Sequence, residues 1–337
     1  MMRPVAVTMG DPAGVGPEIV ARLFSEGHVP ADPGALVIGD AGIMRRALQI
    51  VGAPLAVYPI EEPAEARLDA EAIDVITVGD VPGDLPFGAV DARSGDASYR
   101  AVCRAADLAL AGEVAAIVTA PINKVSLQLA GAPYADHTSL LAARSGADRH
   151  AMMLVGGGLW VALVTTHVAL ADALSMLTVE RELEVIQLLD AELRRLGHHA
   201  PRIAVAGVNP HAGEHGLFGD DEARIVEPAI AIARGGGIDA SGPHPPDTVF
   251  YRARRGEFDA VVAQYHDQGL IPVKLVGFDE GVNVTLGLPF VRTSVDHGTA
   301  YDLAGTGAAS IESLRSAFAL ALELVAARER AGAARDG

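Results

Sequence analysis

One cysteine, Cys103, in 337 residues leaves no partner for an intrachain disulfide and no thiolate cage for a metal. Any metal site must therefore use His, Asp or Glu. Basic runs are equally scarce: 26 Lys and Arg stand against 43 Asp and Glu, a formal charge of −17. No cationic stripe can neutralise a line of phosphates, which excludes nucleic acid as a partner. Apolar runs are short and broken by Gly, Pro or charge, well under the ~20 residues of a membrane-spanning helix. The start, "MMRPVAVTMGDP", lacks signal-peptide architecture, so the expected location is the cytoplasm. The usual dinucleotide fingerprint is missing as well. "MGDPAGVGPEI" sets Gly10, Gly14 and Gly16 at a strand-to-helix junction, but the spacing is not G-x-G-x-x-G and no Walker lysine follows.

What is present is alternation. Strand-like runs lie at 4–9, 35–40, 74–78, 115–120, 150–156, 159–167, 202–208, 258–266 and 282–287, with helical patterns at about 98–112, 179–197, 219–234 and 309–330. This predicts an α/β fold with a largely parallel sheet. The runs at 150–156 and 159–167, joined by Gly157 and Gly158, predict a hairpin and hence a mixed sheet.

Three histidines follow strands: His167 after "VALVTT", His211 after "RIAVAGVNP" and His266 after "AVVAQY". Ligands of open α/β sheets gather outside the carboxyl ends of strands, so all three can face one crevice. Each alone reads as a strand-end imidazole bonded to a backbone carbonyl. Together they admit a catalytic divalent metal, Zn²⁺ first, with an open coordination position. In "YADHTSLLAARSG", His137 and Thr138 open a helical pattern, as an N-cap or as part of an anion site. Lys274, Asn283 and Arg292 sit among apolar residues, where a chain this acidic needs cations for an anionic substrate. "DHGTAYDLAGTGAAS" places Gly298, Gly305 and Gly307 before the last long helix, where a nucleotide can approach the backbone.

The ordered set "GDPAGVGPEI", "TAPINK", "TTH", "GVNPHAGE", "PPDTVF", "YHDQG", "GVNVTLGLPFVRTSVDHGTA" and "DLAGTGAAS" resembles the 4-hydroxythreonine-4-phosphate dehydrogenase family of the vitamin B6 pathway, from about Val5 to the final helix. That resemblance implies an isocitrate/isopropylmalate dehydrogenase-like fold of two α/β domains with a cleft between them. A discontinuous nucleotide domain would span 1–125 and 270–337, and a metal-binding and dimerisation domain 126–269. It implies a homodimer with composite active sites, and a divalent ion (Zn²⁺, with Mg²⁺, Mn²⁺ or Co²⁺ as alternatives) on His167, His211 and His266, the third ligand crossing the dimer interface. His137, Thr138, Lys274, Asn283 and Arg292 would contact substrate, and Asp267, Asp247 or Lys274 would accept the proton. NAD or NADP would lie on the loop carrying His297, Gly298, Thr299, Asp302 and Gly305.

The implied reaction is oxidation and decarboxylation of 4-hydroxythreonine 4-phosphate. One departure matters: the family usually reads Gly-His-Thr-Glu where this chain reads Asp136-His137-Thr138-Ser139. A carboxylate moved within a desolvated pocket changes the charges it tolerates. Similar proteins oxidise D-threonate or D-erythronate 4-phosphate, and another branch a terephthalate dihydrodiol. From a different class, a metal-dependent hydrolase would leave the glycine-rich loop without a role.

Overall fold

All nine apolar runs form strands, and three more join them. In chain order they are β1 (Val5–Thr8), β2 (Ala35–Gly39), β3 (Ala56–Ile60), β4 (Ala72–Thr77), β5 (Ala116–Thr119), β6 (Ala151–Gly156), β7 (Leu159–Leu163), β8 (Ile203–Ala206), β9 (Ala240–His244), β10 (Ala260–Ala263), β11 (Val282–Leu286) and β12 (Val291–Val295). The computed structural model describes residues 3–134 and 136–336, with side chains through residue 331. The chain divides into one unit of Met1–Asp148 with Leu288–Val325 and another of Arg149–Gly287 with Ala326–Gly337. These breaks lie beyond the 125/126 and 269/270 drawn from sequence. Helix His137–Ser145 packs on helix Ala92–Leu110, which keeps residues 126–148 in the first unit. The pairing of β11 with β6 keeps residues up to Gly287 in the second.

In the first unit the strands run β3-β4-β2-β1-β5-β12, every neighbouring pair parallel. β1, β2, β5 and β12 are buried at every position, as expected of parallel strands covered by helices on both faces. In the second the order is β11-β6-β7-β10-β8-β9, parallel from β7 to β9. β6 is antiparallel to both β11 and β7, and Gly157 and Gly158 turn the β6–β7 hairpin with positive φ, as a two-residue type I′ turn requires. The sheet is mixed and mostly parallel, as the sequence predicts.

The strands that the apolar pattern misses have physical explanations. β3 and β9 are end strands containing Pro59 and Pro243, tolerated only where a ladder hydrogen bond is dispensable. β12 reads as polar because Arg292, Thr293 and Ser294 form its centre, yet all five residues are buried. Among the helices, the correction that bears on function is His266–Gly277. The sequence reading ends a strand at His266 and continues as loop, whereas β10 stops at Ala263 and His266 is the first residue of a helix. Gly269 and Pro272 conceal that helix from a propensity argument. Gly269 suits the close approach to β7: a Cβ there would lie 2.5 Å from Leu163 Cδ2 and 3.0 Å from Val161 Cγ1, so a larger residue would have to displace those side chains. Among the described residues no helix is long and apolar enough to cross a membrane.

Candidate active site

Two of the three histidines meet. His167 and His266 have ring centroids 5.5 Å apart and line a cavity of about 440 Å³ with Thr166, Tyr265 and Asp267. Asp267 Oδ1 accepts from His266 Nδ1 at 2.7 Å, which leaves the Nε2 lone pair for an ion. A carboxylate behind a ligating imidazole is the usual arrangement for fixing tautomer and ring orientation. His211 stands apart from this pair, its ring 6.4 Å from that of Phe218. Among the described residues no group of three His, Cys, Asp or Glu is placed to hold an ion. The pair therefore fits two positions of a divalent metal and needs a third donor from elsewhere.

His211 begins a backbone run, His211 to His215, in which every φ is between +43° and +78°. Left-handed conformation costs an L-residue about 1–2 kcal/mol, so such a run must be held from outside. Glu222, 4 % exposed, anchors the chain just ahead of it: its carboxylate accepts from Val208 N at 2.8 Å, Asn209 N at 2.7 Å and Asn209 Nδ2 at 3.1 Å.

One buried residue, through its side chain and its backbone together, ties the three strand ends. Gln264, the first residue beyond β10, donates through Nε2 to Ala206 O at the end of β8 (2.8 Å) and to Glu182 Oε1 (3.2 Å). Its backbone carbonyl accepts from Thr165 Oγ1 beyond β7 at 2.8 Å, its backbone N–H donates to Gln268 Oε1, and Gln268 Nε2 donates to Gly207 O at 2.8 Å. Sequence reasoning passed over Gln264, Glu182 and Glu222. The available signal was a glutamate within an apolar helical stripe, Glu182 with Val185, Ile186 and Leu189.

Burial raises the Glu182 carboxyl from 4.5 to about 7, with the Gln264 hydrogen bond opposing. A raised acid adds stability that is complete below 4.5 and is lost as pH climbs through about 7. Glu182→Gln abolishes that loss, so the variant is expected to gain ~3 kcal/mol over wild type between pH 4.5 and pH 8. Denaturant melts of both proteins at the two pH values check it, and equal differences would refute it.

The residues expected to contact substrate fall in both units. In the first, Asp136 caps helix His137–Ser145, its Oδ1 accepting from Ser139 N at 2.9 Å and its Oδ2 from Ser139 Oγ at 3.1 Å. His137 and Thr138 thus project from a pinned first turn. Burial, then the charge of Arg292, pushes the His137 imidazole well below its usual range, so it is neutral at pH 7. Arg292, 2 % exposed, donates from Nη2 to Thr119 Oγ1 at 2.7 Å. Burial lowers its guanidinium to about 9 against the opposing charge of Asp136, leaving it cationic at neutral pH. In the second unit Asn283 lies on β11, while Lys274 lies in the last turn of helix His266–Gly277 with Nζ 6.0 Å from the centre of the Phe278 ring. Asp247 and Asp267 are exposed and line a second cavity of about 490 Å³ with Arg254 and Tyr265.

Among these sequence-selected residues, His137 Nε2, Asn283 Oδ1 and His297 Nε2 are buried polar atoms with no hydrogen-bond partner. Folded proteins seldom leave such atoms unsatisfied, and a ligand is one reason they do. His297 opens the glycine-rich loop after β12, where Gly298 has open space on its Cβ side, Thr299 is buried, Asp302 is exposed and Gly305 has φ +85°. An orphaned imidazole nitrogen beside side-chain-free backbone fits the adenosine part of a nicotinamide cofactor.

The α/β fold, with the relatives that share it, makes this an NAD-dependent oxidoreductase. Residues 32–321 match the family described as Pyridoxal phosphate biosynthetic protein PdxA. A 4-hydroxythreonine-4-phosphate dehydrogenase of Geobacter metallireducens is 50 % identical, covering 97 % of both chains. A D-threonate 4-phosphate dehydrogenase of Salmonella typhimurium is 51 % identical over 96 % of this chain and 99 % of its own. The crystal structure of 4-hydroxythreonine-4-phosphate dehydrogenase from Klebsiella pneumoniae superposes with a TM-score of 0.88 at 49 % identity, covering 96 % of this chain and 99 % of that one. The chain belongs to the PdxA family.

Proposed function

We propose that the chain catalyses the NAD- or NADP-linked oxidation and decarboxylation of 4-phosphooxy-L-threonine to 3-amino-2-oxopropyl phosphate and CO2 in pyridoxal phosphate biosynthesis. The observation that carries this is the set of unsatisfied atoms on His137, Asn283 and His297, the residues that the family resemblance assigns to substrate and cofactor. Lys274 and Arg292 hold the phosphate and carboxylate as point charge and fork. Neutral His137, Thr138 and Asn283 orient the hydroxyl-bearing carbons by hydrogen bonds. The loop with His297, Gly298, Thr299, Asp302 and Gly305 holds the adenosine end of the cofactor. His167 and His266 would hold the metal, Zn²⁺ first, with His211 supplied across a homodimer interface. A bound divalent ion would lower the pKa of the substrate hydroxyl and favour negative charge on the oxygen left by loss of CO2. Asp267 is engaged with His266, and a Lys274 ammonium that holds an anion cannot also accept a proton, so Asp247 is the group that takes the hydroxyl proton.

Dimerisation through helix His266–Gly277 is supported by its outer face: Ile271, Leu275 and Phe278, at helical spacing, are 63 %, 83 % and 72 % exposed. A stripe that apolar marks a protein contact, and the same helix starts at His266.

A second reading, D-threonate or D-erythronate 4-phosphate as substrate, is favoured by the Asp136 cap. Both its oxygens are engaged by Ser139, and Ser139 stands where the family's glutamate would offer a carboxylate to a substrate ammonium. Protein loaded in turn with Zn²⁺, Mg²⁺, Mn²⁺ and Co²⁺, given NAD or NADP and each of the three phosphates, is expected to form reduced cofactor with 4-phosphooxy-L-threonine. Turnover of the hydroxy acids alone selects the second reading. No reduced cofactor with any of them discards both.

A further inference from the structure

The motif "GDPAGVGPE" binds no dinucleotide by its spacing, yet its residues engage the glycine-rich loop at several points. Glu18, 2 % exposed, accepts from Gly305 N through Oε1 at 2.6 Å and from Gly307 N through Oε2 at 2.7 Å. Both carboxylate oxygens are thus committed to backbone amides of one loop. Asp11, fully buried, accepts from Tyr301 Oη at 2.8 Å through Oδ2 while its Oδ1 accepts from Ala13 N. Val15 N donates to Thr299 O at 3.0 Å, and Arg22 Nη1 donates to Ala309 O at 2.7 Å. The fit is close: a Cβ at Gly14 would lie 2.9 Å from Thr299 Cβ and Thr299 O, so the loop rests directly on backbone there.

We propose that Glu18 is a positioning residue for the nicotinamide cofactor, latching the loop from Thr299 to Gly307 into its binding shape before the cofactor arrives. This rests on the reading that the loop holds the cofactor. Gly305 and Gly307 have φ of +85° and +70°, a conformation that glycine permits but does not enforce. A glycine-rich segment left to itself samples many shapes, and ordering it would be charged against cofactor affinity. The two bonds from Glu18 and the Tyr301–Asp11 bond fix both ends of the Tyr301–Gly307 turn, so that ordering is complete in the folded protein.

The test compares wild type with Glu18→Gln, Tyr301→Phe and Asp302→Ala. Binding of NAD is read by titration calorimetry, and exchange of the Gly305 and Gly307 amides by hydrogen–deuterium exchange without cofactor. Glu18→Gln keeps one acceptor oxygen and loses one charge-assisted bond, so Kd for NAD is expected to rise about tenfold. The two amides should exchange at least about tenfold faster, and in turnover the change should fall on KM for NAD far more than on kcat. Tyr301→Phe should shift both readouts the same way by a smaller factor, and it carries the test should Glu18→Gln not fold. If Asp302→Ala weakens NAD while Glu18→Gln and Tyr301→Phe bind it as wild type does, the loop reading stands and the latch is wrong. If none of the three weakens NAD, the loop reading falls and the latch with it.

Discussion

His266→Ala is expected to lower NAD reduction at least about a thousandfold while leaving the fold intact. The expectation joins two facts about one side chain. Its ring is 35 % exposed and its polar contact is to Asp267, itself 72 % exposed, so removing it opens no cavity and strands no buried group. Stability should therefore change by only about 0.5 kcal/mol, as at other surface positions. Its ring, by contrast, lines a common cavity with that of His167, and if it is the proposed ligand, losing it removes several kcal/mol from the barrier reduction, about a thousandfold in rate. Turnover, metal content by atomic emission and the melting curve of the same sample check all three parts. Retention of more than a tenth of wild-type activity would rule out the ligand role.

Arg292→Met should give opposite signs in two measurements. The guanidinium is buried in β12, its pKa depressed by desolvation, and it therefore weighs against folding at neutral pH. Methionine keeps an unbranched apolar stem, removes the charge and should leave the melting temperature unchanged or higher. An anionic substrate gains most from a charge that is already out of water, so kcat/KM is expected to fall about a hundredfold to a thousandfold, through KM. Arg292→Lys, which keeps the charge and loses the fork, should fall between. A lowered melting temperature with KM unchanged would mark Arg292 as a structural residue and remove it from the substrate site.

The sequence carried the framework where burial alone shapes the pattern. Short runs such as "AAIVTA" and "RIAVAGV" read as interior strands and are, and of the three histidines expected to share a crevice, His167 and His266 do lie side by side. Legibility failed where a buried element has a polar job. β12 hides behind Arg292, and helix His266–Gly277 hides behind a glycine suited to close packing and a proline within it. The supporting carboxylates of Glu18, Glu182 and Glu222 were invisible for another reason: a glutamate inside an apolar stripe announces a buried partner without saying which backbone amides it will meet. No spacing rule connects Glu18 to Gly305 across 287 positions of chain.

Gln264 sits between strands whose carboxyl ends carry different histidines, and it is bonded to both neighbours. A strand end in a parallel sheet is normally free to fray on its own, since the ladder stops there. Here β7, β8 and β10 end in one shared knot, so a displacement of any one tip is transmitted to the other two. The spacing of the strand ends beneath the histidines is thereby held by hydrogen bonds of one residue as well as by the sheet ladder.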